Sequence, residues 1–412
     1  MKAISFLGAA KAYDTTYYLP DGREHTAPYF PAALVRFYPV DELLVFVTTG
    51  ARQMHLAQLE TLVAGCVQSV WPVDIPDGRD EGELWTIFQS VADAVQAKDR
   101  VIFDITHGFR SLPFLSFLAA AYLRAVKRIH LEAVLYGALE AGDRSVQPAR
   151  APVFDLTRFV SLLDWLTAAD RFTRFGDATQ LSQLLRDREA TPLHLAAAQG
   201  NVEAQRMAGL LRGAAAAIEG VSEPLRLARH LELMPAEARL EAALAAAQGE
   251  LAQWARPLAL IADELAAAYA TFALAQPMER AAEADSLRIQ RELVGWYVEK
   301  RQYMQAVTLA REWVVSYTIH VLGWDMIADR GLAERLLGAK NKLNVPERGL
   351  PLDDATAARL ADAFALWSQV PDLRNDFAHG GFRRQQRTVA SLVKAALKLP
   401  ADLASLPLKT AP

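Results

Sequence analysis

Cysteine is nearly absent: Cys66 is the single one among 412 residues. No disulfide framework can form, and a reducing compartment is expected. Read inside the helix that follows Gly50, this thiol is a buried small hydrophobe. No uncharged apolar run reaches ~18 residues, which argues against a transmembrane helix. The first residues form a strand-like run without the charged and long apolar regions of a signal peptide. A cytoplasmic protein that engages no membrane is therefore expected. Neither charge dominates, with 44 Lys+Arg against 48 Asp+Glu and a net charge of −4. The chain as a whole is no general nucleic-acid binder, so any RNA contact must be local. No G-x-G-x-x-G follows a strand and no G-x-x-x-x-G-K-[ST] occurs, which disfavours dinucleotide and P-loop chemistry. His25, His55, His130, His230 and His320 fall in no metal-ligand spacing such as H-x-x-x-H, so no metal site is expected. Hydrophobic content of 52% against 22% charge excludes a disordered chain, and the length suggests two to three domains.

What is present divides the chain. From Met1 to about Arg150 short apolar runs alternate with helical stretches. Ala3–Gly8, Glu42–Val47, Val101–Ile105 and Leu131–Tyr136 read as buried strands, with helices over Glu83–Ala97 and Pro113–Val126. This alternation implies an α/β, Rossmann-like, mostly parallel doubly wound sheet, whose ligands bind at the carboxyl ends of the strands. Small hydroxyl and glycine residues occupy those ends: Gly8; Thr48, Thr49 and Gly50; Thr106, Gly108 and Ser111; and Gly137. Backbone N–H groups in such turns cradle phosphate, although ordinary turns use the same residues.

The C-terminal region is helical, and Arg374-Asn375-Asp376-Phe377-Ala378-His379 stands out near its end. A fixed cation, an amide and an imidazole on one short segment are what RNA phosphodiester cleavage without a metal requires. Histidine moves protons near neutral pH, and arginine holds phosphate bidentately and stabilises a phosphorane. Asparagine can orient a phosphate oxygen or the imidazole. Pro371 and Asp372 read as a helix start. Asn375 and His379 then share a face, while Arg374 and His379 point ~140° apart on an ideal helix. Pairing with a second copy across a two-fold axis would bring the groups to one cleft. A solvated helix end with a capping histidine is the alternative. Between Pro371 and Lys398 lie six basic residues (Arg374, Arg383, Arg384, Arg387, Lys394, Lys398) against two acidic ones. This is either a local surface for a polyanion or a solvated helix face.

Between these ends the chain reads as Ala-rich helix, beginning with an amphipathic stretch over Phe154–Ala169 and punctuated at Pro235, Gly249 and Pro257. Thr191–Ala197 with Gly200–Glu203 matches the ankyrin consensus, and Pro224–Ala228 echoes it weakly. No third copy follows, and about three are needed for a stable stack. Trp296–Leu322 reads as one long amphipathic helix.

The hexad, preceded by that helix, resembles the Arg-polar-x-x-x-His motif of HEPN-domain ribonucleases. Asp104-Ile105-Thr106-His107-Gly108-Phe109-Arg110-Ser111 resembles the turn after a central strand in CARF domains, the Rossmann-like sensors of CRISPR-associated proteins. Their combination is the architecture of accessory ribonucleases of type III CRISPR systems. The resemblance implies a CARF-like domain over residues 1–153, a helical linker or insertion region over 154–290, whose middle from roughly Ala168 to Asp285 departs from the family, and an all-α HEPN-like domain over 291–412. It also implies a homodimer, or a higher oligomer, activated allosterically by cyclic oligoadenylate, tetra-adenylate in preference to hexa-adenylate. Gly8, Ala9, Thr48, Thr49, Gly50, Thr106, His107, Gly108, Arg110, Ser111 and Gly137 would bind that ring. Arg374, Asn375 and His379 would cleave single-stranded RNA held by Arg383, Arg384 and Arg387, without cofactor or metal. Slow cleavage of the ring, with Thr49, Thr106 and His107 contributing, stays open. So do two rival readings, a non-catalytic nucleotide-sensing dimer and a HEPN toxin with another ligand.

Overall fold

The computed structural model describes residues 1–107, 112–187, 196–254, 256–339, 344–345, 350–351, 354–382 and 387–408. The chain forms two compact units, Met1–Asp164 and Trp165–Pro412.

The first unit is a mixed eight-stranded sheet covered by helices on both faces. Its strands are β1 (Lys2–Leu7), β2 (Thr15–Tyr18), β3 (Glu24–Ala27), β4 (Glu42–Val47), β5 (Ser69–Asp74), β6 (Arg100–Asp104), β7 (His130–Gly137) and β8 (Ala149–Asp155), in the order β3-β2-β8-β7-β6-β1-β4-β5. β5, β4, β1, β6 and β7 are parallel to one another. β8 runs antiparallel to β7 and carries the β2–β3 hairpin outward. The α/β, Rossmann-like reading holds. Strand direction of growth reverses between β1 and β6, the topological switch point of such sheets. Alternation along β1 sends Ala3 and Leu7 to one core, packed on the helix Phe30–Phe37, and Ile4 and Phe6 to the other, packed against the helices Glu81–Ala94 and Leu112–Lys127.

Four of the eight strands escape the sequence pattern. β5 contains Pro72 and lies at the sheet edge, where proline costs no ladder bond. β2 and β3 are four residues each and rich in Thr and Tyr or charge. Phe154, expected in a helix, lies in β8 opposite Tyr136, because antiparallel pairing with β7 draws it in. The helix starts at Thr157, whose N–H donates to Asp155 Oδ1 at 2.9 Å. Cys66 lies beyond the helix that ends at Val63 and is half-buried, not enclosed in a helix. Left-handed Gly65 has already turned the chain.

The second unit is all-helical among its described residues, apart from two two-residue strands, Asn344–Val345 and Leu350–Pro351. Its helices share one apolar core running from Trp165 to Leu406. The expected single helix over Trp296–Leu322 is two, Glu283–Glu299 and Tyr303–Leu322, broken where Arg301 adopts φ 58°. Gln302 N–H donates back to Tyr297 O at 2.8 Å and closes the first helix. The position between residues 290 and 291 lies within the first of these helices. Pro235 does not end a helix. It sits inside His230–Ala246, where burial of Leu233, Met234 and Leu240 outweighs one lost backbone bond. Trp313 and Tyr317 on the second helix are fully buried and stacked at 5.2 Å.

Gly142 lies where Asp143 and Arg150 exchange backbone bonds, and a Cβ there would come 1.8 Å from Arg150 O. Gly142→Ala should therefore destabilise the chain by about 1–3 kcal/mol. Gly295→Ala, in a helix with open space around the added methyl, should stabilise by up to about 1 kcal/mol. Urea unfolding midpoints of the two variants should move in opposite directions.

Candidate functional site

In the first unit the turns after β1 and β6 and the end of β7 line a cavity of about 270 Å³. Of the residues expected at a ligand site, Gly8, Thr106, His107 and Gly137 line it. The register explains the convergence. β1 and β6 pair so that Ser5 faces Asp104, and β6 and β7 pair so that Asp104 faces Leu135. The fully buried Asp104 carboxylate accepts from Ser5 Oγ and, at 2.8 Å, from the Thr106 N–H. Thr106 Oγ1 in turn accepts from the Gly137 N–H at 2.9 Å. Three strand ends are thus tied into one hydrogen-bonded rim.

His107 points inward. Its Nε2 accepts from the Phe30 N–H at 3.0 Å, which places the ring proton on Nδ1, and the Tyr17 hydroxyl lies 3.4 Å from the same nitrogen. Burial, and then the neighbouring His55, push the His107 pKa down to about 4. The imidazole is therefore neutral at physiological pH. Burial pushes the Asp104 carboxyl up to about 6 against the hydrogen bonds from Ser5 and Thr106. Burial, and secondarily Asp104, push the Tyr17 phenol well above its ordinary range. Gly137 is required by packing as much as by any ligand, since a Cβ there would come 2.8 Å from the Tyr17 ring.

Ala9, Thr48, Thr49 and Gly50 lie beside this cavity and are not in its lining. A Cβ on Gly50 would meet Ala9 Cβ at 3.7 Å, so the turns after β1 and β4 are neighbours. Thr48 is buried and caps the following helix, accepting from Ala51 N–H at 3.3 Å, while Thr49 is exposed. Gly108, Arg110 and Ser111 lie outside the described residues.

Lys11, Tyr13, Tyr29, Tyr136 and Glu140 also line the cavity, and no sequence motif marks them as site residues. Lys11 lies 5.2 Å from the Tyr13 ring, and Tyr136 donates to Glu140 at 2.6 Å. Tyrosines spaced irregularly through loops and one strand end give no periodic signal; only their number near the strand ends could have marked them. His55 belongs to no motif in the sequence. It sits in a π-helical turn, Arg52–Leu56, with Nδ1 3.0 Å from the Tyr29 hydroxyl. Such turns recur at functional sites. The arrangement can take a flat or anionic group against neutral donors, one lysine and aromatic faces.

In the second unit the hexad lies on the helix Val370–Ala378, with Pro371 in its first turn. Val370, Leu373 and Asp376 face the core, Arg374 and Asn375 are half-buried, and His379 is exposed. His379 is the C-cap. Its N–H donates to Asn375 O at 2.9 Å, and its backbone leaves the helix before left-handed Gly380 and Gly381. The ideal-helix angle between Arg374 and His379 therefore does not apply, because the final residue is off the helix. Arg387, expected at RNA, bridges two acids of this helix, with Asp372 at 3.3 Å and Asp376 at 3.4 Å. It also lines a cleft of about 220 Å³ with Ser391, Lys394 and Lys398 beside Leu373. Arg383 and Arg384 lie outside the described residues, as does the start of the ankyrin-like stretch, Thr191–Leu195. Among the described residues no cluster of three or more His, Cys, Asp or Glu could hold a metal ion, and no helix is long and apolar enough to cross a membrane.

No protein-family profile matches the chain. It is similar to the CRISPR-associated protein MJ1674 of Methanocaldococcus jannaschii, at 30% identity over 115 residues. That stretch is 27% of this chain and 18% of the archaeal protein, so the chain spans under a fifth of the length of the curated relative it matches.

Asp104 and His107 make opposing contributions to stability. The folded Asp104 holds its proton up to about 6 against an ordinary value of 3.8, so its contribution is present below 3.8 and lost as pH rises through 6. The folded His107 releases its proton near 4 against 6.5, so its contribution is present above 6.5 and lost as pH falls through 4. Each is worth about 3 kcal/mol. Relative to the parent chain, Asp104→Asn should gain stability as pH rises from 4 to 6. His107→Gln should lose relative stability as pH rises from 4 to 6.5. Urea titrations across that range check both slopes.

Proposed function

We propose that this protein is a metal-independent, single-stranded-RNA endoribonuclease of CRISPR defence, activated by cyclic oligoadenylate. One observation carries the reading: a single chain joins a cavity at the switch point of a Rossmann-like sheet to an Arg-Asn-x-x-x-His segment at a helix end. Similarity to a CRISPR-associated protein supports the setting.

In this reading the cavity takes the adenylate ring. Thr106, Gly8 and Gly137 supply the rim, and His107 meets the ligand as a neutral ring. Cyclic tetra-adenylate is the favoured activator over hexa-adenylate. A two-fold ring calls for a two-fold receptor, so the sensor acts as a homodimer. An exposed apolar face supports that pairing. Trp85, Phe88 and Tyr122 stack edge to face at 5.8 and 5.3 Å, with Leu84, Leu115 and Leu118 beside them. A monomer seldom leaves such a patch uncovered.

Ring binding then shifts the population towards a cleavage-competent pair of hexads. His379, exposed at the helix end, removes the 2′-OH proton or protonates the leaving 5′-oxygen. Arg374 holds the scissile phosphate and the charge that develops on it, and Asn375 positions it. The ends produced are 2′,3′-cyclic phosphate and 5′-OH. Lys394 and Lys398 in the neighbouring cleft, with Arg383 and Arg384, would hold flanking phosphates. Arg387 contributes while bridging Asp372 and Asp376.

Cleavage of a fluorescent single-stranded RNA in EDTA, with and without cyclic tetra- and hexa-adenylate, tests the reading. Cleavage is expected with the ring only, and His379→Ala or Arg374→Ala should reduce it by at least ~100-fold while ring binding persists. Normal cutting by both variants would remove the hexad from the chemistry. Ring binding without cleavage would favour a non-catalytic sensor, and cleavage indifferent to the ring would favour a ribonuclease with another ligand.

The apolar face makes a separate prediction. Leu118→Glu should convert the dimer to monomer in sedimentation experiments and abolish ring-dependent cleavage. A variant that stays dimeric would place the interface elsewhere.

A further inference from the structure

The turn that follows the hexad carries an aromatic ring that stands out in solvent. His379 ends the helix Val370–Ala378, and the Phe382 N–H donates back to the His379 carbonyl oxygen at 3.0 Å. Between them Gly380 and Gly381 have φ of 58° and 84°. Positive φ at both central residues, with a bond from the fourth residue to the first, is the pattern of a type I′ turn. Residues other than glycine adopt it only with strain. Crowding does not ask for glycine here, because a Cβ on either would meet nothing within 4 Å among the described residues. The turn therefore stands clear of the packed core. Such a turn holds its first and fourth Cα atoms within ~7 Å of each other. Backbone geometry thus fixes Phe382 beside His379.

Phe382 is 94% exposed, the most of any large hydrophobic among the described residues. Phe377, earlier in the same segment, packs against the helical core instead. The surroundings of the exposed ring indicate what would cover it. The sequence continues Arg383-Arg384-Gln385-Gln386-Arg387. The helix Val389–Ala396 packs on the hexad helix, and its Lys394 is exposed, as is Lys398. Both lysines line a cleft with Arg387, against one acid, Asp402. The core of a protein interface is depleted in charge, whereas this ring lies in a basic stretch of chain. Cations interleaved with an aromatic ring are what holds a single nucleic-acid strand, the cations tracking phosphates and the ring taking the face of a base.

We propose that Phe382 is a base-stacking residue, whose ring receives the nucleobase on one side of the scissile phosphate and so sets the strand against His379. The inference rests on the ribonuclease reading above and adds to it the group that positions the RNA. Stacking needs only a π face, so it tolerates every base.

A 2′-O-methyl RNA with a single ribonucleotide tests this, because attack by the 2′-OH is then confined to one linkage. Its cleavage, with cyclic tetra- and hexa-adenylate supplied, is compared with that of two counterparts lacking the base on one or the other side of that linkage. Phe382→Ala should lower kcat/KM on the full substrate by about tenfold or more, while Phe382→Trp stays near the parent. The parent should cut one abasic counterpart as slowly as Phe382→Ala cuts the full substrate, and Phe382→Ala should not distinguish the two. Unchanged cleavage by Phe382→Ala would overturn the proposal, as would equal losses on base removal in parent and variant. Phe382→Ala sedimenting as a monomer where the parent is a dimer would overturn it too, giving the ring to a second copy of the chain. Should the parent cut no RNA, the ribonuclease reading fails, and fluorescence anisotropy decides the stacking assignment by itself. The full oligonucleotide must then bind the parent more tightly than an abasic counterpart, and Phe382→Ala must remove that difference. No binding, or binding indifferent to the base and to Phe382, would overturn the assignment.

Discussion

The first unit is organised around one buried carboxylate. Asp104 has no solvent exposure, and among the described residues its hydrogen bonds come from the Ser5 hydroxyl and from Thr106. Burying such a group is costly unless its hydrogen bonds are made. The sheet makes them at the point where β1 and β6 part. From there Thr106 reaches Gly137, so the ends of β1, β6 and β7 are held in one arrangement. A cavity with a fixed rim follows from that arrangement, because loops anchored by a buried network cannot drift independently.

The second constraint is steric. Tyr17 packs edge-on against Phe30 at 5.0 Å and closes over Gly137. Both aromatic residues come from the segment after β1, which leaves the parallel sheet, forms the hairpin and docks on β8. The same segment supplies the Phe30 N–H that fixes the His107 tautomer. The antiparallel edge of the sheet thus shapes the cavity.

In the helical unit the corresponding element is the buried helix Tyr303–Leu322. Its side chains are enclosed on nearly every face from Ala306 to Ile319, and Trp313 Nε1 donates to Leu287 O at 2.7 Å. The helix Val370–Ala378 packs on this core through Val370 and Leu373. Packing of the inner face turns the outer residues of the hexad outward and places His379 at the solvent-exposed end. Arg387, bridging Asp372 and Asp376, secures the same helix from outside.

Local periodicity and turn chemistry determined much of this protein from its sequence alone. The parallel strands β1, β4, β6 and β7, the helices Glu81–Ala94 and Leu112–Lys127, the glycine and threonine turns at the strand ends and the short helix opening at Pro371 were legible, because each rests on neighbouring residues. Cavity lining was legible for Gly8, Thr106, His107 and Gly137, which directly follow or end a strand. Tertiary structure alone decided the rest. It drew Phe154 into β8, because pairing across the sheet outweighs helical spacing. It broke the helix at Arg301, where nothing but the packing of two helices asks for a left-handed residue. It brought Tyr13, Tyr29, Tyr136 and Glu140 to one cavity, and left Gln290 Oε1 buried without a donor among the described residues. Those outcomes depend on residues far apart in the chain, whose proximity exists only once the sheet and the helices have packed.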